Sequence, residues 1–298
     1  MKKSAEVQRA RHIKLKTRQS IAGFIFTLPS LAGFAVFLGI PSLVSIYYCF
    51  TEGIKEAKFV GLKNFISLFN SKSFLIAAQN TLVFNAVSVP LIIAASFTFA
   101  LLLNTRIRGA SVFKSFFILP LVIPGASVIL VWNILFTEFG VLNSFLVHYD
   151  IQAVNWIRSD WSRAILVLLY IWKNCGYNMI LFLAGLNSIP LEYYEAARMD
   201  GAGAFVCLRK ITIPFILPTG FFVVIISIVN SFKVFREAYL LAGSYPNLKI
   251  YMLQHFINNN FSNLSYQRLT TAAFIMAIIV ILLVVFLYRI ESRIGRSL

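Results

Sequence analysis

Six long runs of apolar residues constrain the fold of this chain more than any other feature. The hydrocarbon core of a membrane is about 30 Å thick, so a helix needs roughly 20 consecutive apolar residues to cross it. The runs that reach this length are residues 20–50, 74–103, 115–136, 164–186, 211–232 and 269–288. A single charge, that of Lys173, interrupts the fourth run. The pattern predicts an all-α membrane protein with six transmembrane helices.

The composition agrees with this class and indicates the domain boundaries. Apolar residues make up 59% of the chain and charged residues 13%, whereas about a quarter of a soluble domain is charged. The bundle uses almost the whole length, so we expect no large domain outside the membrane. The expected segments are a basic cytoplasmic tail over 1–19, a first transmembrane helix over 20–50, an extracellular loop over 51–73, a five-helix core over 74–290 and a cytoplasmic tail over 291–298.

The net charge of +16 comes from Lys and Arg residues that lie between the apolar runs rather than on one basic face. Such charges set membrane topology, because basic loops stay on the cytoplasmic side. Placing both termini and the alternate loops inside collects the basic tail, Arg106, Arg108 and Lys210 on that side. We therefore expect cytoplasmic N- and C-termini and no nucleic-acid partner.

Residues suited to catalysis or metal binding do not converge in the sequence. His12, His148 and His255 lie in predicted tails or loops, and the three cysteines lie far apart in different segments. The sequence also contains no GxxxxGK[ST] phosphate loop, so ATP is not bound in that way by this chain. We expect no enzymatic activity, no metal site and no cofactor bound by the chain itself.

Five prolines lie inside the predicted spans, at positions 29, 41, 90, 120 and 124. Each removes a backbone hydrogen bond and bends the helix, which membrane proteins tolerate only where neighbours or a cavity restore the lost partner. Bent helices suit a protein that opens and closes. The alternative is that prolines are simply more frequent in membrane helices.

A polar segment over residues 188–214 separates the fourth and fifth runs. Ser188 is suited to cap a helix, and Pro190 is suited to its first turn, where a missing N–H costs nothing. A short helix is therefore predicted over 189–199, and Gly201 is predicted to end it in a left-handed turn. A second helix then leads into the fifth run. This element suits either docking into a groove on a cytoplasmic partner or resting on lipid headgroups.

The spacing within this segment resembles the EAA loop of importer-type ABC permeases, whose pattern is EAA, three residues, G, nine residues and I-x-L-P. The chain has EAA at 195–197, a glycine at 201 after three intervening residues, and ITIP at 211–214 after nine more. Ile213 stands where the family has leucine. The resemblance assigns ATPase coupling to Glu195, Ala196, Ala197, Asp200, Gly201, Ile211 and Pro214.

Sequences that flank the loop are similar to the carbohydrate-uptake branch of these permeases, the relatives of the maltose and glycerol-phosphate systems. They include WKN at 172–174 and LAGLNSIP at 183–190, and the similarity covers about residues 20–290. One departure is GSYP at 243–246, where these relatives usually have a GGP turn. The departure leaves the substrate and the docking partner open.

The resemblance implies a fold, a location and a set of partners. The expected fold is the MetI-like fold of type I ABC importers, in the inner or plasma membrane of a bacterial cell. Such importers pair two homologous permease subunits with two cytoplasmic ATPase subunits, which bind ATP and Mg, and with an extracellular solute-binding protein. In such importers, closure of the ATPase dimer on ATP moves the membrane helices from the inward-facing to the outward-facing conformation. Glu195 is expected to face a basic or polar group of the ATPase.

Polar residues within the spans are candidates for the substrate pathway, because a sugar needs amide and hydroxyl partners beside an aromatic ring. Lys173 is the only ionisable residue in a predicted span and is expected in its outer third. By position, the resemblance assigns the pathway to Tyr170, Lys173, Asn174, Tyr177, Ser227, Asn230 and Ser231. Gln79, Asn80 and Asn85 are weaker candidates. Hydrogen bonding between helices is the alternative role for each of them.

The EAA loop is shared across the importer superfamily, so it does not by itself identify the cargo. The polar clusters on either side of it favour a sugar or oligosaccharide that the binding protein delivers. The alternative is an importer of another solute, such as a phosphate ester, an amino acid or a compatible solute.

Overall fold

The computed structural model describes residues 20, 22–53, 58–105 and 109–294. The predicted tail over 1–19, residues 295–298, and Arg106 and Arg108 lie outside the described residues. The regular structure of the described part is helical apart from an antiparallel pair of strands, β1 (Thr51–Glu52) and β2 (Lys58–Phe59). The helices are α1 (Ala22–Cys49), α2 (Lys63–Phe69), α3 (Lys72–Leu103), α4 (Ala110–Val122), α5 (Gly125–Phe136), α6 (Val141–His148), α7 (Ser162–Asn187), α8 (Leu191–Met199), α9 (Ala204–Cys207), α10 (Ile213–Phe232), α11 (Phe235–Ala242), α12 (Leu253–Ser262) and α13 (Tyr266–Ile294).

Six helical segments are long and apolar enough to cross a membrane, which confirms the predicted class. They are Ala22–Cys49, Lys72–Leu103, Gly125–His148, Ser162–Asn187, Ala204–Ala242 and Tyr266–Arg293. The third and fifth of these differ from the predicted runs. The third begins later in the chain, and the fifth continues through α11, ten residues beyond the predicted end at 232.

The third predicted run is divided between two helices. Helix α4 ends at Val122 and α5 begins at Gly125. Between them Ile123 is extended, with φ −66° and ψ 133°, and Pro124 has ψ 136°. A residue before proline disfavours the helical conformation, because the proline ring clashes with it. Apolar length alone gave no sign of this break, whereas the proline marked its position.

The other prolines inside the membrane spans do not end a helix. Pro90 and Pro120 lie inside α3 and α4. Pro41 follows a π-helical turn over Ala35–Gly39, and Pro214 follows one over Leu208–Thr212. A π turn widens the backbone locally, which is one way to seat a residue that has no N–H and clashes with the preceding turn.

The centre of the bundle is formed by α3, α7 and α10, which pack against one another. Two glycines on α7 permit its closest contacts. A Cβ on Gly176 would lie 1.8 Å from the Phe117 carbonyl oxygen of α4, and a Cβ on Gly185 would lie 2.6 Å from Thr219 Oγ1 of α10. Small residues at such points let membrane helices approach closely. In contrast, the first span has no buried residue before Cys49 among those described, and its second part, Ile40–Cys49, packs against α13.

A polar network at the amino-terminal end of α7 joins this helix to α3 and to the segment before α12. Arg163 Nη2 donates to Asn80 Oδ1 at 2.7 Å, and Arg163 Nε donates to the Lys249 carbonyl at 3.2 Å. The Asn80 amide in turn donates to the Tyr251 carbonyl at 3.0 Å. Asn80 therefore fixes the segment before α12, and its groups are not directed to a substrate pathway.

His255 lies in helix α12 rather than in a loop, and it is fully buried. Its Nδ1 accepts a hydrogen bond from the Met252 N–H at 3.2 Å. Its ring packs edge-on against Phe235, with centroids 4.7 Å apart. Burial lowers the pKa of His255 to about 4, because the charged imidazolium loses its hydration there.

Candidate functional site

Helix α8 contains the EAA residues and has no buried residue. It begins after Pro190, which is extended with ψ 136° and takes the N-cap position. The prediction that Ser188 caps this helix is wrong. Its hydroxyl donates back to the Gly185 carbonyl at 2.7 Å, at the end of α7. Proline at 190 disfavours the helical conformation at Ile189, so the preceding helix ends there and Ser188 takes its C-cap position.

The C-terminal end of α8 agrees with the prediction for Gly201. This glycine has a positive φ of 79°. Its N–H bonds the Arg198 carbonyl at 3.0 Å, and the Ala202 N–H bonds the Ala197 carbonyl at 2.9 Å. These two bonds form a Schellman motif, which satisfies the last carbonyls of the helix and requires a left-handed residue at this place. The turn after Asp200 is therefore tight and well defined.

Helix α8 is attached to the start of the fifth span by two aromatic residues. The Tyr194 hydroxyl lies 3.0 Å from Thr212 Oγ1, within the π-helical turn. The Tyr193 ring lies 4.9 Å from the ring of Phe215, one residue after Pro214. A force on α8 is therefore applied directly to the base of α10.

The seven predicted coupling residues divide into an outer and an inner group. Glu195, Ala196, Asp200 and Gly201 are exposed, whereas Ala197, Ile211 and Pro214 are half-buried. Large apolar side chains surround the outer group, and those of Met199 and Phe205 are 88% and 73% exposed. An exposed apolar surface of this kind indicates contact with another protein or with the membrane surface, the two alternatives that the sequence leaves open.

A second candidate region is a cavity of about 270 Å³ between α7 and the α10–α11 segment. It is lined by Leu121, Leu169, Tyr170, Lys173, Asn174, Asn230, Lys233, Val234, Arg236 and Glu237. Four of the predicted pathway residues are therefore brought to one cavity. Tyr177 and Asn230 also line an adjoining groove of about 340 Å³.

Lys173 forms a salt bridge with Glu237 of α11, and the two side chains are only 16% and 7% exposed. The prediction of a single ionisable residue within the spans is therefore wrong. Apolar length predicts that the fifth span ends at residue 232, which places Glu237 in a loop. Because an isolated charge at this depth is costly, the lysine itself was a signal that a carboxylate partner exists elsewhere.

Two predicted pathway residues have their hydroxyl groups in contacts between helices. Ser227 Oγ accepts from Asn178 Nδ2 at 2.7 Å, and Ser231 Oγ bonds Asn85 Oδ1. Both serines are 1% exposed. Their hydroxyl groups therefore do not open into the cavity in this conformation.

Tyr170 is also buried, and its hydroxyl donates to the Ser227 carbonyl at 2.6 Å. Asn174 is half-buried and donates through Nδ2 to the Tyr170 carbonyl at 2.9 Å. Asn230 accepts from Lys233 Nζ at 3.4 Å. Within the described part of the chain, these two amides leave one group each without a hydrogen-bond partner, the Oδ1 of Asn174 and the Nδ2 of Asn230, and both are available to a ligand.

Comparison with known proteins finds a family whose sequence pattern this chain matches. Residues 92–298 match the family described as the binding-protein-dependent transport system inner membrane component. The chain is 28% identical to the trehalose/maltose transport system permease protein of Thermococcus litoralis, over 95% of this chain and 98% of that protein. It is 32% identical to the arabinooligosaccharides transport system permease protein of Bacillus subtilis, over 74% of this chain and 72% of that protein.

The fold recurs in a bacterial ABC transporter involved in the import of the acidic polysaccharide alginate. One of its chains superposes with a TM-score of 0.84, covering 95% of this chain and 99% of that chain at 23% identity. This likeness concerns the fold, and it confirms the predicted ABC permease architecture. With the family match over residues 92–298, it leads to one conclusion: the chain belongs to the binding-protein-dependent transport system inner membrane components.

Proposed function

We propose that this chain is the translocating subunit of an ATP-driven importer, and that its cargo is a sugar or oligosaccharide. Its similarity to permeases named for trehalose/maltose and arabinooligosaccharides supports this cargo. The cavity beside Lys173 supports it further, because the amide groups of Asn174 and Asn230 meet there. The chain carries no ATPase role in this proposal, and ATP and Mg are bound by separate subunits.

The main support for the proposal is that helix α8 is exposed and yet firmly attached to the fifth span. It has no buried residue, yet Tyr194 and the turn at Gly201 hold it against the fifth span. When a cytoplasmic ATPase bound to α8 changes conformation, α10 moves with α8. Helix α10 forms one wall of the cavity. ATP hydrolysis outside the membrane is thereby coupled to opening and closing of the site.

The assembly in this proposal contains a second permease, two ATPase subunits and an extracellular binding protein, in a bacterial inner or plasma membrane. Both termini and α8 face the cytoplasm, so the cavity end of α7 faces outward. The first span supports the second permease as a partner, because its side chains from Ala22 to Tyr48 are not buried within the described chain. Some of this surface faces lipid and some is available to another subunit.

The proposed function is tested by transport in proteoliposomes that hold the complex isolated through this chain, with its binding protein added outside. We expect ATP-dependent uptake of labelled oligosaccharides and none of labelled amino acids. Asn230→Ala is expected to reduce this uptake several-fold, whereas Thr98→Ala, at an exposed residue on α3, is a matched control that preserves it. Uptake of amino acids or compatible solutes without any saccharide would contradict the proposal.

A further inference from the structure

The charges around the cavity are unequal. Its lining contains three cations, Lys173, Lys233 and Arg236, and one carboxylate, Glu237. Glu237 neutralises Lys173 through their salt bridge. Two positive charges are therefore left for which the cavity itself supplies no counter-charge.

The two remaining cations have no carboxylate partner among the described residues, whose salt bridges are Lys63–Glu52, Lys173–Glu237 and Lys249–Asp160. Lys233 reaches a neutral group, the Asn230 Oδ1, at 3.4 Å. The Arg236 side chain runs past Gly125, with its Cδ 3.8 Å from the place of a Cβ on that glycine. Gly125 is the first residue of α5, and the amino end of a helix adds positive potential of its own.

An importer must enclose its cargo during transport, and this raises the cost of unpaired charge. Closing the cavity around a neutral sugar would take two cations from water with nothing to balance them, which is unfavourable. A cargo with its own negative group removes this cost and gains charge-assisted hydrogen bonds to the guanidinium and ammonium groups. The neighbouring Asn174 and Asn230 amides would then serve the sugar hydroxyls.

We infer that the cargo is an acidic saccharide, whose carboxylate or phosphate is held by Arg236 and Lys233. This inference rests on the proposed function, since it names the class of sugar for the same cavity. Arg236 suits the oxyanion because its planar guanidinium can donate two parallel hydrogen bonds. The Lys173–Glu237 pair is electrically balanced and serves to position the wall of the cavity.

The test is equilibrium binding to the isolated importer complex in nanodiscs, without the binding protein, so that selectivity belongs to the membrane subunits. The labelled probes are trigalacturonate, its methyl ester and glucose 1-phosphate. The ester keeps the size and hydroxyl groups of the acid but lacks its charge. We expect the acid to bind at least about tenfold more tightly than the ester, as one charge-assisted contact predicts. Glucose 1-phosphate distinguishes a phosphate from a carboxylate as the preferred oxyanion.

The variant Arg236→Gln is expected to reduce the preference for acid over ester several-fold, because only Lys233 then remains to hold the oxyanion, while Arg236→Lys retains more of it. Lys58→Gln is the matched control, because this exposed lysine of β2 does not line the cavity. Equal binding of acid and ester, or an unchanged preference in Arg236→Gln, would overturn the inference and leave saccharide import intact. Binding of none of these saccharides, together with failed oligosaccharide uptake in proteoliposomes, would overturn both.

Discussion

The ammonium group of Lys173 on α7 pairs with the carboxylate of Glu237 on α11, a partner 64 residues further along the chain. The two side chains keep only 16% and 7% of their area exposed. An ion left alone at such a site is destabilising, because the loss of hydration is no longer offset by its partner. The pair therefore joins two helices at the wall of the cavity.

Breaking this pair should lower stability more than removing both charges. Glu237→Gln leaves Lys173 unpaired, and for a largely buried pair the expected cost is about 3 kcal/mol. The double variant Lys173→Gln with Glu237→Gln is expected to recover part of that loss. Thermal unfolding of the purified chain measures both. The exposed pair Lys63–Glu52 is the control, since its removal is expected to change stability by less than about 1 kcal/mol.

Changes at the turn of α8 should release the ATPase subunits without preventing membrane insertion. Gly201→Val forces a β-branched residue to a φ of 79°, which strains the Schellman turn. Glu195→Lys reverses the exposed charge of the EAA segment. We expect both to reduce the amount of ATPase that co-purifies with the chain.

The control for the turn is Gly203→Val, because Gly203 has an ordinary φ of −74° and no atom within 4 Å of its would-be Cβ. Equal loss of ATPase in this control would show that bulk, not turn geometry, is responsible. Full ATPase recruitment and transport in Gly201→Val and Glu195→Lys would refute the coupling role of α8.

Close packing of α4 on α7 predicts a strong effect of a single methyl group. A Cβ on Gly176 would lie 1.8 Å from the Phe117 carbonyl oxygen, so Gly176→Ala must push the helices apart. Overpacking of this kind costs about 1–3 kcal/mol, measured as a lower Tm. Gly220→Ala is the matched substitution on α10, where the nearest atom lies 4.0 Å away. A Tm for Gly176→Ala equal to that of Gly220→Ala would mean that this contact is not close in the folded protein.

Buried His255 should make the protein less stable in mild acid. Its pKa is about 4 when folded, against 6.5 for a free histidine, so the unfolded chain binds a proton between these pH values while the folded chain does not. Stability is then fully present above pH 6.5 and falls as the pH drops toward 4, by about 1.4 kcal/mol per unit within that window. His255→Asn should flatten this part of the Tm–pH curve, and a curve as steep as that of the unaltered protein would contradict this role of His255.

Structural features that depend on residues close together in the sequence can be predicted from the sequence alone. Six membrane helices follow from apolar length, because each span satisfies its own backbone hydrogen bonds. The turn at Gly201 and the helix before it follow from local hydrogen bonding and from the conformational freedom of glycine. The break near Pro124 was marked by its proline, although the apolar run continued through it.

The remaining features depend on contacts between residues that are far apart in the sequence. Ser188 binds back to α7 instead of capping α8, and Asn80 ties down the segment before α12. No local pattern links Lys173 to Glu237, since only the packing of α7 against α11 sets their distance. By itself the sequence determined the number of spans, the turn at Gly201 and the family resemblance. The tertiary structure alone decided which polar groups bind one another and which are left facing the cavity, because that depends on how separate helices meet.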